Sequence, residues 1–189
     1  MRGMCSFDSM RITPQHSLGL VIDIQDRLFP HIDDHDGLAR RTSILIQGLR
    51  ALSVPIVVTE QYVKGLGSTI PLISEALGDY TPLEKMTFSC CGDNTIEGFV
   101  MGSGRHTMIV CGIEAHVCVL QSVIDLLSQG NTVIVVEDCI SSRKVNDKAI
   151  AVERMRSAGA VITTYESILF ELCRESGTET FKTISRLVK

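Results

Sequence analysis

No apolar run in this 189-residue chain reaches membrane-spanning length; the longest candidates are broken by Gly, Asp or Glu. The first residues, MRGMCSFDSMRITPQHS, contain no apolar h-region and do not read as a secretory signal. Residues 1–16 look instead like a short polar arm ahead of one domain over residues 17–189. No stripe of Lys and Arg appears, and the net charge of −4 comes from interspersed acids and bases, so nucleic acid is not an expected partner. No CxxC spacing occurs, which removes the pattern of zinc knuckles and thioredoxin-type sites. GLGST, residues 65–69, lacks the GKS/T ending of a P-loop and does not directly follow a strand as a dinucleotide fingerprint should. Internal repeats, low-complexity segments and linkers are also missing.

What is present fits one cytoplasmic domain. Hydrophobic residues make up 44% of the chain, enough for a substantial core. The seven cysteines are an odd set, which points to reduced thiols. LGLVIDI (18–24) is a continuous apolar run ending in an acid, the pattern of a parallel strand buried on both faces. Further strands are expected at 55–61, 83–89, 106–113, 131–139 and 160–166. Between them lie helices marked by Leu38, Leu45, Leu49 and Leu52, then by 70–77, 94–103, 118–129 and 147–159, with two terminal helices after residue 166. This alternation predicts an α/β fold: a three-layer αβα sandwich around a mainly parallel sheet of about six strands, Rossmann-like in design. Binding sites in such sheets lie beyond the carboxyl ends of the strands, at a switch point.

Cys118 is the residue with most chemical promise. It lies in CGIEAHVCVLQSVIDLLSQG, where a strand runs into a helix whose apolar stripe is Val117, Leu120, Ile124 and Leu127. In the first turn, free N–H groups and the positive dipole end would favour a thiolate. The alternative is a small hydrophobe filling the core, which is what most free cysteines do. Asp23 follows an apolar run, where an unpaired carboxylate is costly; it serves equally well as a strand-end acid capping a neighbouring loop. Lys85 should enter the sheet, or else sits in water beside Glu84. Together the three form a coherent set. Asp23 can receive the thiol proton, and Lys85 can hold the thiolate and orient the acid.

With these residues in place the chain resembles the isochorismatase-like cysteine hydrolases, a family that includes nicotinamidases and carbamoylsarcosine amidases. The likeness rests on LVIDIQDRL around Asp23, LEKMTFS around Lys85 and VCGIEAHVCVLQSVIDLL around Cys118. TEQYVKGLGST, KMTFSC and DCISSR bring it nearest the branch called isochorismatase domain-containing proteins. The resemblance implies a catalytic triad of Asp23, Lys85 and Cys118. It implies a cis peptide at Ile113–Glu114 that aims the amides of Glu114 and Cys118 at an oxyanion. Closeness in sequence to these elements gives an expected pocket of Gln25, Phe29, Gln61, Tyr62, Phe88, Ala115 and His116. The implied reaction is attack of Cys118 on a small amide or related carbonyl compound, through a thioester, in a homo-oligomer that needs no cofactor.

Departures from the family pattern bear on metal. Nicotinamidases hold a divalent ion with an Asp/His cluster after the second strand; here Glu60, Gln61 and Tyr62 stand there without a histidine. HIDDHD (31–36) is read as a polar loop entering a helix rather than a metal site, because Pro30 precedes it and Gly37 follows. No metal is expected. Two readings compete with the hydrolase: a non-catalytic oligomeric scaffold of the same fold, and a redox-responsive thiol protein in which Cys90, Cys91 or Cys111 resolves an oxidised Cys118.

Overall fold

The computed structural model describes residues 11–189. Cys5 and most of the expected polar arm lie outside them. Ile12, within the expected arm, is buried, and its N–H donates to Glu171 Oε1 at 3.1 Å.

Among the described residues six strands alternate with eight α-helices. In chain order they are β1 (Ser17–Ile22), α1 (His35–Ala51), β2 (Ile56–Gln61), α2 (Val63–Leu66), α3 (Pro71–Leu77), β3 (Leu83–Lys85), α4 (Asn94–Gly102), β4 (Thr107–Ile113), α5 (Leu120–Ser128), β5 (Thr132–Ser141), α6 (Val145–Ser157), β6 (Val161–Thr163), α7 (Tyr165–Cys173) and α8 (Glu179–Leu187). All six strands form one parallel sheet in the order β3-β2-β1-β4-β5-β6. The order reverses direction between β1 and β4, so the crevice beyond their carboxyl ends is the switch point.

Alternate strand residues feed two cores. Val21, Val58, Ile109 and Val136 pack with residues of α1, α3, α7 and α8 on one face. Leu20, Ile22, Val110 and Val135 pack with residues of α4, α5 and α6 on the other. The central strands are buried on both sides, which is why LGLVI reads as an unbroken apolar run. Each such side chain contributes about 1.5–3 kcal/mol by leaving water, and truncating Leu20, which is fully buried, would cost about 2–5 kcal/mol.

Helix boundaries follow local chemistry. Asp93 caps α4 by accepting from the N–H groups of Thr95 and Ile96, and Thr164 and Thr178 cap α7 and α8. Pro71 starts α3, where its missing N–H is harmless. HIDDHD is a short turn and then the start of α1. β3 and β6 are shorter than expected because both are edge strands with one neighbour each. Residues 86–89 leave the sheet, and α7 begins at Tyr165, inside the span first assigned to β6. α2 occupies part of the glycine-rich turn and was not expected.

Gly112 is the one glycine on which the switch point depends. It has φ of 146°, and a Cβ there would sit 2.3 Å from the Ile22 carbonyl oxygen. Its bare backbone lets β4 lie against the end of β1, immediately before Asp23. Among the described residues no helix is long and apolar enough to cross a membrane.

Candidate active site

The residue after β1 is Asp23, held at φ 55° in the left-handed region. Non-glycine residues there are strained and cluster at functional sites. Its side chain is 2% exposed. Oδ1 accepts from Thr59 Oγ1 at 2.7 Å and Oδ2 from Lys85 Nζ at 2.6 Å. Lys85 ends β3 with its side chain fully buried. Its ammonium also donates to Gln61 Oε1 at 2.9 Å and reaches the carbonyls of Thr87 and Phe88 at 3.3 and 3.2 Å. A buried ion pair survives only when its other hydrogen-bonding capacity is used in this way. Neither the loop-cap role for Asp23 nor the solvated-lysine role for Lys85 therefore applies.

From the other side of the switch point comes Cys118. β4 ends at Ile113, and the chain turns through Glu114 at φ 54° and ψ 58°. Ala115–Val119 then forms one π-helical turn before α5. Single π turns recur at functional sites. Two expectations are corrected here. No peptide bond among the described residues is cis; the left-handed Glu114 reverses the chain at Ile113–Glu114 instead. Cys118 precedes α5 in a widened turn, so the inward face is Val119, Leu120, Val123 and Leu126, with Val117, Ile124 and Leu127 flanking it.

The thiol's electrostatics also differ from expectation. The Cys118 pKa is raised, first by burial, then by the negative charge of Asp23, with Lys85 offsetting only part. A helix-start location alone predicts a lowered value; desolvation and a facing carboxylate outweigh it. The resting residue is a neutral thiol beside a carboxylate able to take its proton.

Asp23 and Cys118 share a cavity of about 320 Å³ with Leu28, Gln61, Leu66, Phe88, Ile113, Glu114, Val117 and Arg143. Of the expected pocket residues, Gln61 and Phe88 line it. Gln25 lies beneath, bracing the site by donating to the carbonyls of Gln61 and Gly67 and accepting from the Gln61 N–H. Phe29 stacks edge-on against His35 and packs with the α1 core. Tyr62 is half-exposed beside Lys64 and Met86 in a separate groove. Ala115 is fully buried in the core behind Cys118. His116 points to Ser142, Glu114 and Asp147. Proximity in sequence placed these five at the wall; the alternation of the turns around them put them behind or beside it.

Leu28, Leu66, Val117 and Arg143 were missed. DCISSR carried the signal for Arg143, since it follows the end of β5, where the same switch-point logic applies. Glu60 and Asp138, also near strand ends, are occupied elsewhere. Glu60 Oε1 accepts from the N–H and hydroxyl of Thr69 at 2.7 and 2.8 Å, and Asp138 Oδ1 accepts from the Tyr165 N–H at 2.9 Å. Among the described residues no three His, Cys, Asp or Glu side chains gather as metal ligands.

The geometry can be set beside known proteins. Residues 17–167 match the isochorismatase domain. Isochorismatase family protein 1B of Dictyostelium discoideum is 36% identical over 183 residues, spanning 95% of this chain and 89% of that protein. Isochorismatase domain-containing protein 2A of Mus musculus is 35% identical over 181 residues, spanning 95% and 85%. A solved structure, that of MAR1 ribonuclease from Caenorhabditis elegans, superposes with a TM-score of 0.89 at 39% identity, over 94% of this chain and 92% of that one. The parallel six-stranded sheet, the switch-point crevice and these similarities place the chain in the isochorismatase family.

Proposed function

We propose that this chain is a cysteine hydrolase of small amides or related carbonyl compounds, with Cys118 as nucleophile, Asp23 as proton carrier and Lys85 as the group that fixes and balances Asp23. One observation carries the reading: a neutral thiol and a buried Asp23–Lys85 pair, bonded at 2.6 Å, meet at one small cavity.

The steps follow from that arrangement. Both Asp23 oxygens already accept one hydrogen bond, and each keeps a further lone pair. The carboxylate takes the S–H proton as sulfur attacks the substrate carbonyl carbon, forming the C–S bond and moving the carbonyl electron pair onto oxygen. Amides of Glu114 and Cys118 are the proposed donors to that oxyanion; one well-placed donor contributes about 3–4 kcal/mol. Collapse breaks the C–N bond, with Asp23 returning the proton to the leaving nitrogen. Water, deprotonated by Asp23, then cleaves the thioester, releasing the acid and restoring the thiol. Lys85 pairs with the carboxylate and fixes its orientation, and four acceptors around its ammonium hold it in register.

Arg143 shapes the substrate. Its Nε donates to Glu114 Oε1 at 2.6 Å, and the residue lines the cavity. Terminal guanidinium nitrogens present a fork suited to a carboxylate. The name of the nematode protein raises RNA as a second substrate class. A cavity of about 320 Å³, at the lower end of ligand-site volumes, and a net charge of −4 favour the small molecule. A sensor role fits less well, because oxidation selects exposed thiols of low pKa.

The test is a turnover screen of small amides, esters and single-stranded RNA with wild type, Cys118→Ala and Asp23→Asn. Amide or ester turnover lost in both variants supports the proposal. RNA cleavage that survives Cys118→Ala refutes it.

A further inference from the structure

The charges around the cavity cancel in pairs. Asp23 is matched by Lys85 at 2.6 Å, and Glu114 by Arg143 at 2.6 Å. His116 stands outside the wall, against Glu114. Its Nδ1 is 3.2 Å from Glu114 Oε2 and 3.0 Å from Ser142 Oγ, and its Nε2 is 3.9 Å from Asp147 Oδ2. Glu114 is buried, and its Oε2 makes no formed hydrogen bond. A buried acceptor left open beside an imidazole that water can reach is the unusual feature. A neutral ring can offer the Nδ1 proton to only one of its two oxygen neighbours. A protonated ring carries a donor on each nitrogen and faces a carboxylate on both sides.

Resting on the hydrolase reading only for the cavity's identity as the substrate site, we propose that His116 is a positioning residue that sets the strength of Arg143 toward an anionic group on the ligand. With His116 neutral, Glu114 is answered by Arg143 alone, and the guanidinium's charge is largely spent on that acid. With His116 protonated, Glu114 Oε2 gains its own cation. Arg143 is then released electrostatically toward the cavity, whose surroundings carry one more positive charge. The ligand class that follows is a small amide bearing a carboxylate, bound more tightly when the His116 ring is protonated than when it is neutral.

The surroundings of His116 contain the groups needed for this and a few constant ones. Asp147 comes from α6, Glu114 from the end of β4, and Ser142 from the segment after β5. Lys144 precedes α6, and Lys148 on α6 is already paired with Glu137 at 2.7 Å. Among the described residues, α5 and the strands β4 and β5 place no further carboxylate within 4.0 Å of the ring nitrogens.

Succinamate and its neutral counterpart succinamide are the probes, titrated calorimetrically into the Cys118→Ala protein from pH 5.5 to 8.5. This binding measurement is independent of turnover, so loss of the hydrolase reading and loss of this one are separable. Succinamate affinity should weaken about three- to tenfold with rising pH, the scale of one nearby charge, while succinamide stays flat. His116→Gln, neutral throughout, should bind succinamate at the high-pH strength at every pH. Arg143→Met should erase the preference for the carboxylate, and Arg143→Lys should keep part of it. A pH dependence that persists in His116→Gln, equal pH profiles for the two probes, or no succinamate binding at pH 5.5 each overturns the proposal.

Discussion

Replacing Lys85 by methionine isolates the contact on which the site depends. The variant keeps the length of the side chain and removes the ammonium. Asp23 loses its 2.6 Å partner while staying buried, with Thr59 as its remaining side-chain donor. Gln61 Oε1 and the carbonyls of Thr87 and Phe88 lose a donor as well. Breaking a buried pair from one side costs about 3–5 kcal/mol. An independent limit agrees: the variant's carboxylate can escape by taking a proton, which for an ordinary aspartate at pH 7 costs about 4 kcal/mol. Because that escape is a protonation, the penalty shrinks as pH is lowered, by about 1.4 kcal/mol per unit. The double variant Asp23→Asn/Lys85→Met removes both charges and should cost less than the sum of the single changes by about 2 kcal/mol or more. Urea unfolding at pH 7 and pH 5 measures all of this. A Lys85→Met penalty below about 1 kcal/mol, or strictly additive costs in the double variant, refutes the pairing argument.

Three further outcomes are expected. Gly112→Ala should lower stability by about 3 kcal/mol or more, read from urea midpoints, because its Cβ would meet the Ile22 carbonyl at 2.3 Å and L-residues avoid φ of 146°. Burial pushes the Cys111 thiol up to about 12 and Cys90 up to about 11. The folded state then holds protons that the unfolded chain releases, so stability is full below the ordinary value of 9.0 and falls as pH rises from there toward the folded values, by about 1.4 kcal/mol per unit for each thiol. Urea curves at pH 8 and 10.5 check this, and Cys111→Ala should flatten the slope. Iodoacetamide at pH 7 should modify Cys118 through the assistance of Asp23 rather than through a standing thiolate. Labelling mapped by mass spectrometry should therefore drop in Asp23→Asn, and a rate equal to wild type there would contradict assistance by Asp23.

The fold was legible because its signals are long and redundant. Continuous apolar runs such as LGLVI and HTMIVCGI can be little else than doubly buried parallel strands when helices separate them. The short edge strands were over-extended, since one-sided pairing leaves no pattern to mark where a strand stops. Asp23, Lys85 and Cys118 were legible as unusual residues at strand ends. The direction of the Cys118 shift was not, because it depends first on how deeply the folded chain buries the thiol and then on a carboxylate arriving from the end of β1, ninety-odd positions away in the chain. The turn at Glu114 and the π-helical step after it were equally hidden: they fix which of Ala115, His116 and Val117 faces the cavity, and only Val117 does. Arg143 lies 29 positions from the acid it binds, so its place at the wall follows from the alignment of β4 with β5 rather than from any local motif.

The central claim is that Cys118 becomes acylated. Acid quenching during turnover of a small ester or amide, followed by intact-mass and peptide analysis, tests it directly. One acyl group is expected on the peptide containing Cys118, accumulating in wild type, absent in Cys118→Ala and strongly diminished in Asp23→Asn. Turnover with no adduct on Cys118, or acyl groups spread equally over Cys91 and Cys173, would contradict it.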